Sequence, residues 1–454
     1  MTTADAASAL PPRVALARQP MGVLATVVAA RRNLISIIPE IATRQPIVSG
    51  KTGVRWHMVM DPEALRRILL ERLDDYPKSD VTKLLLRPAI GDSLFVAEGA
   101  HWRWQRRAAA PAFAQRHVEA LAPVMTAAAE AASRRMAAAP GMVDVFGETV
   151  AATFEVISDV TLSGERAFDR DAVHRAVNDF IEQSAKVSVL DVLGLPGWVP
   201  RPGRIMAGSG LRRMKALADS AIASRAKAVP GASGAAPDLL DLLLDAHDPE
   251  TGRSMTAPEL RDNLLAFIVA GHETSALALA WSLYLCAFDP AVQDRAAAEA
   301  RAVLGDRAAT AADVAALPYA TRVVNEALRL YPPAAFLSRT AQAHDHLCGR
   351  EVRPGDTVML PIYALHRHHL LWDDPDAFRP DRFLTPPDRY AFLPFGAGPR
   401  ICIGASFAMQ EAVIILSTLL GRFRFATLPG RVPEPRLILT LRPHGGVWLD
   451  VRPR

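Results

Sequence analysis

Apolar residues recur at the spacing of three to four that marks helices over most of this chain. A helix is predicted from the Asp61-Pro62-Glu63 start to about residue 73, because Asp61 offers an N-cap and proline suits the first helical position. Further helical stretches cover residues 117–138, 154–188 and 238–247. The pattern predicts a mainly helical chain.

The most apolar stretch follows a capping box. Thr256-Ala-Pro-Glu259 is a helix start signal, and the chain then stays apolar for roughly thirty residues until Asp289-Pro290. At about 1.5 Å per residue, such a helix is ~45 Å long. Because it is apolar on nearly all faces, we expect it to run through the centre of the protein.

Strand-like runs are short and few. Residues 47–48 and 54–59 flank a Ser-Gly-Lys-Thr-Gly turn and predict a hairpin, and residues 357–362 and 437–441 are further β-like runs. The Gly-Lys-Thr is not a phosphate loop, since that motif needs a glycine where Pro46 stands. Neither a βαβ rhythm nor a repeat is present. We expect a mainly α fold with minor β, as one domain over residues 21–454 behind a flexible N-terminal arm, residues 1–20.

Composition and charge exclude several classes. Of 454 residues, 50% are hydrophobic and 22% are charged, as in globular proteins. The net charge of +4 is too weak and too evenly spread to suggest a nucleic-acid partner. The apolar N-terminal stretch at residues 21–30 is shorter than the ~20 residues of a membrane span and lacks the features of a signal peptide. We expect a cytoplasmic protein without a membrane anchor.

One of the three cysteines stands in a special setting. Their odd number in a long chain does not fit a disulfide framework and favours a reducing compartment. Cys402 lies in Phe395-Gly-Ala-Gly-Pro-Arg-Ile-Cys-Ile-Gly404, just before an apolar helical segment. A helix N-terminus stabilises a thiolate, and the glycines allow close approach of a large flat group, so Cys402 is predicted to be a metal ligand or a nucleophile. Cys286 and Cys348 lack such surroundings and are expected to be small buried hydrophobes.

The pattern Phe-x-x-Gly-x-Arg-x-Cys-x-Gly resembles that of the haem-thiolate monooxygenases, the cytochrome P450 family, in its soluble bacterial type. The resemblance implies the cytochrome P450 fold, with a long central helix over a haem and a cysteine-ligand loop. It also implies that Cys402 is the axial iron ligand, that Phe395 packs near its sulfur and that Arg400 meets a haem propionate. Thiolate ligation favours cleavage of the O–O bond.

A second motif lies inside the central helix. Ala270-Gly-His-Glu-Thr-Ser275 resembles the family's oxygen-binding segment. Small Ala270 leaves room for dioxygen, while the Thr274 hydroxyl and the Glu273 carboxylate are expected to relay protons. The alternative for Thr274 is the ordinary one, a hydroxyl bonded back to a helical carbonyl.

The third motif combines Glu326-Ala-Leu-Arg329 with Phe378-Arg-Pro-Asp-Arg382-Phe. In the family the two arginines and the glutamate form a buried network that supports the cysteine loop. The resemblance therefore gives Glu326, Arg329 and Arg382 a structural role. The alternative is an exposed pair worth a few tenths of a kcal/mol.

Other motifs concern the haem propionates and a possible metal site. Trp102 and Arg106 resemble the family's Trp-x-x-x-Arg helix, and Arg339 fits a further propionate-binding arginine. The His366-Arg-His-His369 cluster suggests zinc, but no partner ligand stands at the right spacing, so we expect no such site.

The resemblance implies a monooxygenase that holds haem b (heme b, iron protoporphyrin IX) and uses dioxygen. We expect it to hydroxylate or epoxidise a lipophilic small molecule, with electrons that come from NAD(P)H through a separate ferredoxin or flavodoxin and its reductase. Candidate pocket residues by analogy are Leu94, Phe95, Phe180, Leu190, Phe267, Ala270, Ala335, Phe336 and Leu439.

Two other functions remain as alternatives. A non-catalytic haem sensor or carrier needs no proton relay, which the Glu273-Thr274 pair argues against. A peroxide-driven hydroxylase replaces this acid-alcohol pair with Arg-Pro, and that dipeptide is absent at this place.

Overall fold

The structure is a computed structural model that describes residues 10–162, 208–227, 237–437 and 439–454. Helices dominate this part of the chain, as the apolar spacing predicts. The α-helices are α1 (Val23–Arg32), α2 (Pro62–Arg66), α3 (Asp80–Ile90), α4 (Gly99–Ala109), α5 (Gln115–Ala120), α6 (Ala122–Ala138), α7 (Val145–Leu162), α8 (Gly208–Lys227), α9 (Leu239–Leu244), α10 (Ala257–Phe288), α11 (Pro290–Leu304), α12 (Pro318–Leu330), α13 (Ile362–Leu365) and α14 (Ala405–Arg422). Shorter 3-10 turns are at Leu34–Ile37, Glu40–Thr43, Ala110–Phe113, Ala311–Ala316, Pro380–Leu384 and Gly398–Arg400, and a π-turn is at Arg67–Glu71.

The strands form small sheets at the periphery. They are β1 (Ile47–Thr52), β2 (Val54–Val59), β3 (Gly141–Asp144), β4 (Leu337–Thr340), β5 (Asp345–Leu347), β6 (Arg350–Val352), β7 (Thr357–Leu360), β8 (Phe423–Thr427), β9 (Glu434–Leu437), β10 (Leu441–His444) and β11 (Trp448–Pro453). The largest sheet has the order β1-β2-β7-β4, in which β2 and β7 are parallel and the other pairs antiparallel. A second sheet has the order β3-β11-β8, and β9 with β10 and β5 with β6 form two-stranded ladders.

The central helix α10 organises the core. Its capping box is formed by Thr256 and Glu259, and its 32 residues make it about 48 Å long. It packs against α7, α8, α12 and α14. This helix is long and apolar enough to cross a membrane, but 78% of its most apolar window is buried inside the protein. Its apolar surface is therefore explained by the core.

The predicted hairpin is present, but the β-like run at 437–441 is not a strand. β9 ends at Leu437 and β10 begins at Leu441, so the run lies at the connection between them. Leu439 lines an internal cavity. Leu437 and Leu441 pair with each other at the end of the β9–β10 ladder, and Leu439 between the two strands faces the cavity.

Predicted helix boundaries differ where proline or a turn intervenes. The stretch at 117–138 is split into α5 and α6 at Leu121, because Pro123 lacks a backbone donor and starts a new helix. The helix that starts at Asp61 passes into the π-turn at Arg67–Glu71. The stretch at 238–247 contains only α9. The helix expected at 154–188 begins earlier, at Val145, and its part after 162 lies outside the described residues.

The described part of the expected N-terminal arm is fastened to the protein. The Val14 N–H donates to the Tyr363 hydroxyl at 3.0 Å, and Pro12 accepts from the Tyr331 hydroxyl at 2.7 Å. Ala17 donates to the carbonyl of Ile38 at 2.9 Å. Residues 12–17 of the predicted arm therefore contact the body of the protein.

Candidate active site

The loop before Cys402 is shaped by glycine. Gly398 has φ +70°, and a Cβ there would lie 2.1 Å from the backbone oxygen of Leu69. The position thus requires glycine both for its conformation and for its close approach. The Cys402 N–H donates to the carbonyl of Phe395 at 2.8 Å, which closes the loop immediately before α14.

The Cys402 side chain is accessible, but it faces an internal cavity rather than bulk solvent. Burial raises the pKa of its thiol, and this effect outweighs the hydrogen bond from the Gly404 backbone and the charge of Arg106. The burial of Cys402 thus acts against the thiolate that the helix N-terminus favours. A bound metal cation would favour the thiolate, because it deprotonates a coordinating thiol.

The cavity has a volume of ≈ 1610 Å³. Most of its lining area is contributed by apolar side chains. The predicted pocket residues that line it are Leu94, Phe95, Phe267, Ala270, Phe336 and Leu439. Ala335 is fully buried and does not line the cavity, whereas its neighbours Ala334 and Phe336 do. Phe180 and Leu190 lie outside the described residues.

Four predicted propionate ligands, Trp102, Arg106, Arg339 and Arg400, lie on the wall of this cavity. The Arg400 guanidinium lies 4.5 Å from the centroid of the Trp102 ring, a cation–π contact. Burial, followed by repulsion from Arg400, lowers the pKa of Arg339 to about 10. Burial also lowers the pKa of Arg106. These depressed values show cations that are short of counter-charge.

Two residues that the sequence did not single out belong to the same cluster. Glu98 forms an ion pair with Arg400 and accepts the backbone N–H of Lys78 at 2.8 Å. Lys78 forms an isolated β-bridge with Arg339. Burial, with repulsion from Arg400, lowers the Lys78 pKa to about 7. No motif indicated either residue, because their partners lie up to 302 positions away.

The segment predicted to bind oxygen, residues 270–275, shows one ordinary contact and one that the sequence did not predict. The Thr274 hydroxyl donates to the Ala270 carbonyl at 2.7 Å, the ordinary arrangement for a helical threonine, while both residues line the cavity. Glu273 is buried, with 3% of its side chain exposed, and pairs with Arg442 of β10. Arg442, which no sequence motif indicated, supplies the counter-charge for this carboxylate.

The structure brings Glu326, Arg329 and Arg382 together away from solvent. Arg329 donates from Nε and Nη2 to the two carboxylate oxygens of Glu326 at 2.7 and 2.8 Å, and both side chains have no exposed surface. Arg382 donates from Nε to Glu326 at 2.9 Å. The Arg379 N–H adds a fourth hydrogen bond at 2.9 Å. The exposed-pair alternative is excluded by this burial.

His366 connects this network to the segment that leads into the cysteine loop. Its Nδ1 donates to the Arg329 carbonyl at 3.2 Å, and its Nε2 accepts the Leu393 N–H at 2.8 Å. Burial and the charge of Arg329 lower the His366 pKa to about 3, so its ring is neutral. Within the described ranges, no group of three or more His, Cys, Asp or Glu could hold a metal ion. His366, the first histidine of the cluster, therefore has a structural role: it links Arg329 to the segment before the cysteine loop.

These residues fit a haem. The cavity offers a soft sulfur ligand for iron at one point and a cluster of cations for acidic groups elsewhere on its wall. The buried Nε atoms of Arg339 and Arg400 find no hydrogen-bond partner among the described residues, as expected where a ligand's carboxylates supply the acceptors.

Comparison with known proteins gives the same family. The family described as Cytochrome P450 matches residues 30–449. Two relatives from Streptomyces melanosporofaciens are each 32% identical: cyclooctatin synthase, over 91% of this chain and 90% of that protein, and cyclooctat-9-en-7-ol 5-monooxygenase, over 88% and 86%. The crystal structure of the cytochrome P450DA haem domain superposes with a TM-score of 0.79 and 29% identity, over 90% of both chains.

Three observations agree on the family: the mainly helical fold with a long central helix, the cysteine loop on a large apolar cavity, and the family match over almost the whole sequence. The chain belongs to the cytochrome P450 family of haem-dependent monooxygenases.

Proposed function

We propose that Cys402 would bind the haem iron and that Trp102, Arg106, Arg339 and Arg400 would hold the haem propionates. The observation that carries this proposal is that the thiol, these four side chains and Thr274 all line the same cavity. The four side chains come from α4, β4 and the cysteine loop, so only the folded chain assembles them.

Thiolate-ligated haem supplies the activation of dioxygen and the transfer of one oxygen atom. The protein's part is to deliver protons and to exclude bulk water. We assign proton delivery to the Thr274 hydroxyl, which donates its hydrogen bond to the Ala270 carbonyl and would turn toward the cavity to deliver a proton. Glu273 would act through its pairing with Arg442, because the ion pair holds a titratable carboxylate inside an apolar helix.

The substrate would be a large lipophilic molecule that is hydroxylated or epoxidised. The apolar lining supports this assignment, since desolvating a charged substrate there would be unfavourable. The names of the relatives support it too, because one is a cyclooctatin synthase and another a monooxygenase of cyclooctat-9-en-7-ol. Leu94, Phe95, Phe267, Phe336 and Leu439 would contact the substrate.

Electrons would come from NAD(P)H through a ferredoxin or a flavodoxin and its reductase, in the cytoplasm. The burial of the apolar surface of the central helix inside the protein supports this location. Reconstitution with each carrier in turn distinguishes a ferredoxin from a flavodoxin.

A reconstitution experiment tests the function. Purified protein is given NAD(P)H with a ferredoxin or a flavodoxin system, dioxygen and a library of lipophilic compounds, and in parallel hydrogen peroxide alone. We expect dioxygen uptake coupled to oxygenated product only with the electron donors. Product with peroxide alone would favour the peroxide-driven alternative, and ligand binding without any product would favour a sensor or carrier.

A further inference from the structure

The Glu98 carboxylate has unusual partners for a residue at the start of a helix. Glu98 is the N-cap of α4, yet its side chain accepts no hydrogen bond from that helix. One carboxylate oxygen accepts the Lys78 N–H at 2.8 Å, and the other pairs with Nη2 of Arg400. The side chain therefore connects the segment before α3, the start of α4 and the cysteine loop.

Arg400 is almost wholly fixed by these neighbours. Only 5% of its side chain is exposed, and its guanidinium lies against the Trp102 ring, 4.5 Å from the ring centroid. Nη1 is 3.4 Å from the Ala97 carbonyl, a weak contact, whereas Nη2 has the charged partner Glu98. The Glu98 carboxylate is thus the strongest contact that sets the position of the guanidinium.

The charges in this cluster do not balance. Lys78, Arg339 and Arg400 are three cations, and Glu98 is the only carboxylate among the described groups that pairs with any of them through an ion pair. Arg106, on the same cavity wall, adds a further cation, and this excess of positive charge suits a ligand with carboxylates, such as the propionates of haem. Glu98 therefore orders the cluster without neutralising it.

We propose that Glu98 is a positioning residue of the haem site, whose carboxylate holds the Arg400 guanidinium against Trp102 so that it meets a haem propionate without rearrangement. This inference rests on the proposed haem site and adds a residue to it. Glu98 acts through Arg400 and does not itself contact the haem.

Haem transfer to an excess of apomyoglobin tests the proposal on the purified holoprotein. We expect Glu98→Ala to speed haem loss about tenfold, because the guanidinium is no longer held in place. Glu98→Gln keeps an oxygen acceptor and should speed the loss by only about threefold. Glu63→Ala, which removes a carboxylate with 85% of its side chain exposed, is the control and should leave the rate unchanged.

The double variant separates a positioning role from a merely structural one. If Glu98 acts through Arg400, adding Glu98→Ala or Glu98→Gln to Arg400→Ala should change the rate by less than about twofold, because coupled residues are not additive. Protein loaded with haem dimethyl ester, which lacks the propionate charges, should release it at equal rates with and without Glu98.

The proposal would be overturned if the effects of Glu98→Ala and Arg400→Ala on the rate of haem loss were fully additive. It would also be overturned if Glu98→Ala accelerated the loss of haem and of its dimethyl ester equally. Failure of the haem site itself is recognised separately. In that case the unmodified protein retains no haem, or its ferrous carbonyl spectrum lacks the thiolate band, before any transfer is measured.

Discussion

Replacement of Glu326 by alanine removes the acceptor of a buried four-donor network. Two donors come from the Arg329 guanidinium, one from the Arg382 guanidinium and one from the Arg379 backbone. Arg329 then keeps its three bonds to backbone carbonyls but loses its counter-charge in a place with no exposed surface. Breaking a buried pair in this way costs about 3–5 kcal/mol, a large share of the ~5–15 kcal/mol that stabilises a typical domain.

The loss converts into a measurable shift of the melting temperature. With an unfolding entropy of about 2.1 cal/mol/K per residue, a chain of 454 residues melts about 3–5 °C lower. Arg329 contacts His366, and His366 accepts a hydrogen bond from Leu393 in the segment before the cysteine loop. Disturbing Arg329 should therefore lower the haem content as well. The assay is the thermal unfolding midpoint together with the ratio of haem to protein.

A matched control is Glu351→Ala, which breaks an exposed contact of the same length, 2.7 Å to Arg353. We expect this variant to melt near the unmodified protein and to keep its haem. Glu326→Gln, which keeps the shape but not the charge, should lie between the two. Equal midpoints and equal haem content for Glu326→Ala and Glu351→Ala would refute the network argument.

Three further outcomes are expected. Thr274→Ala should bind substrate normally but divert electrons to hydrogen peroxide, and unchanged coupling of NAD(P)H use to product would argue against proton delivery. The pKa of His366 lies at about 3, below its usual value of about 6.5, so the unfolded chain binds the extra proton between these values and stability falls as the pH drops through this window, by up to about 1.4 kcal/mol per pH unit. Denaturant unfolding of His366→Asn should show a shallower dependence, and the same slope would contradict it. Gly398→Ala should lose haem because its Cβ would meet the Leu69 oxygen, whereas Gly430→Ala, with φ +72° but open space around it, carries the backbone strain alone. Equal haem loss in both glycine variants would show that the clash is not the cause.

Much of the site could be predicted because its residues stand at fixed spacings in recognisable segments. Cys402, Arg400 and Phe395 share one loop, and Thr274 and Ala270 share one helix face, so local sequence determines their relation. The fold class followed in the same way from helical spacing and the length of the central apolar stretch.

The contacts that the sequence did not predict join residues that are far apart in the sequence and close together only in the folded chain. Arg442 meets Glu273 from a strand near the C-terminus, and Glu98 meets Arg400 across 302 positions, without any pattern that links them. Ala335 was misplaced because the sequence does not show which of several neighbouring residues lines the cavity: Ala334 and Phe336 do, and Ala335 is buried elsewhere. The burial of Cys402, which raises the pKa of its thiol, has no sequence signal because it is a property of the folded cavity.

The most direct test of the central claim is the ferrous carbonyl spectrum of three variants, in each of which one cysteine is replaced. Cys402→His should still hold haem but lose the red-shifted band of a thiolate ligand. Cys286→Ser and Cys348→Ser should keep that band, because Cys286 is buried in the core and neither residue lines the cavity. A thiolate band that persists in Cys402→His would show that Cys402 is not the iron ligand and would contradict the account.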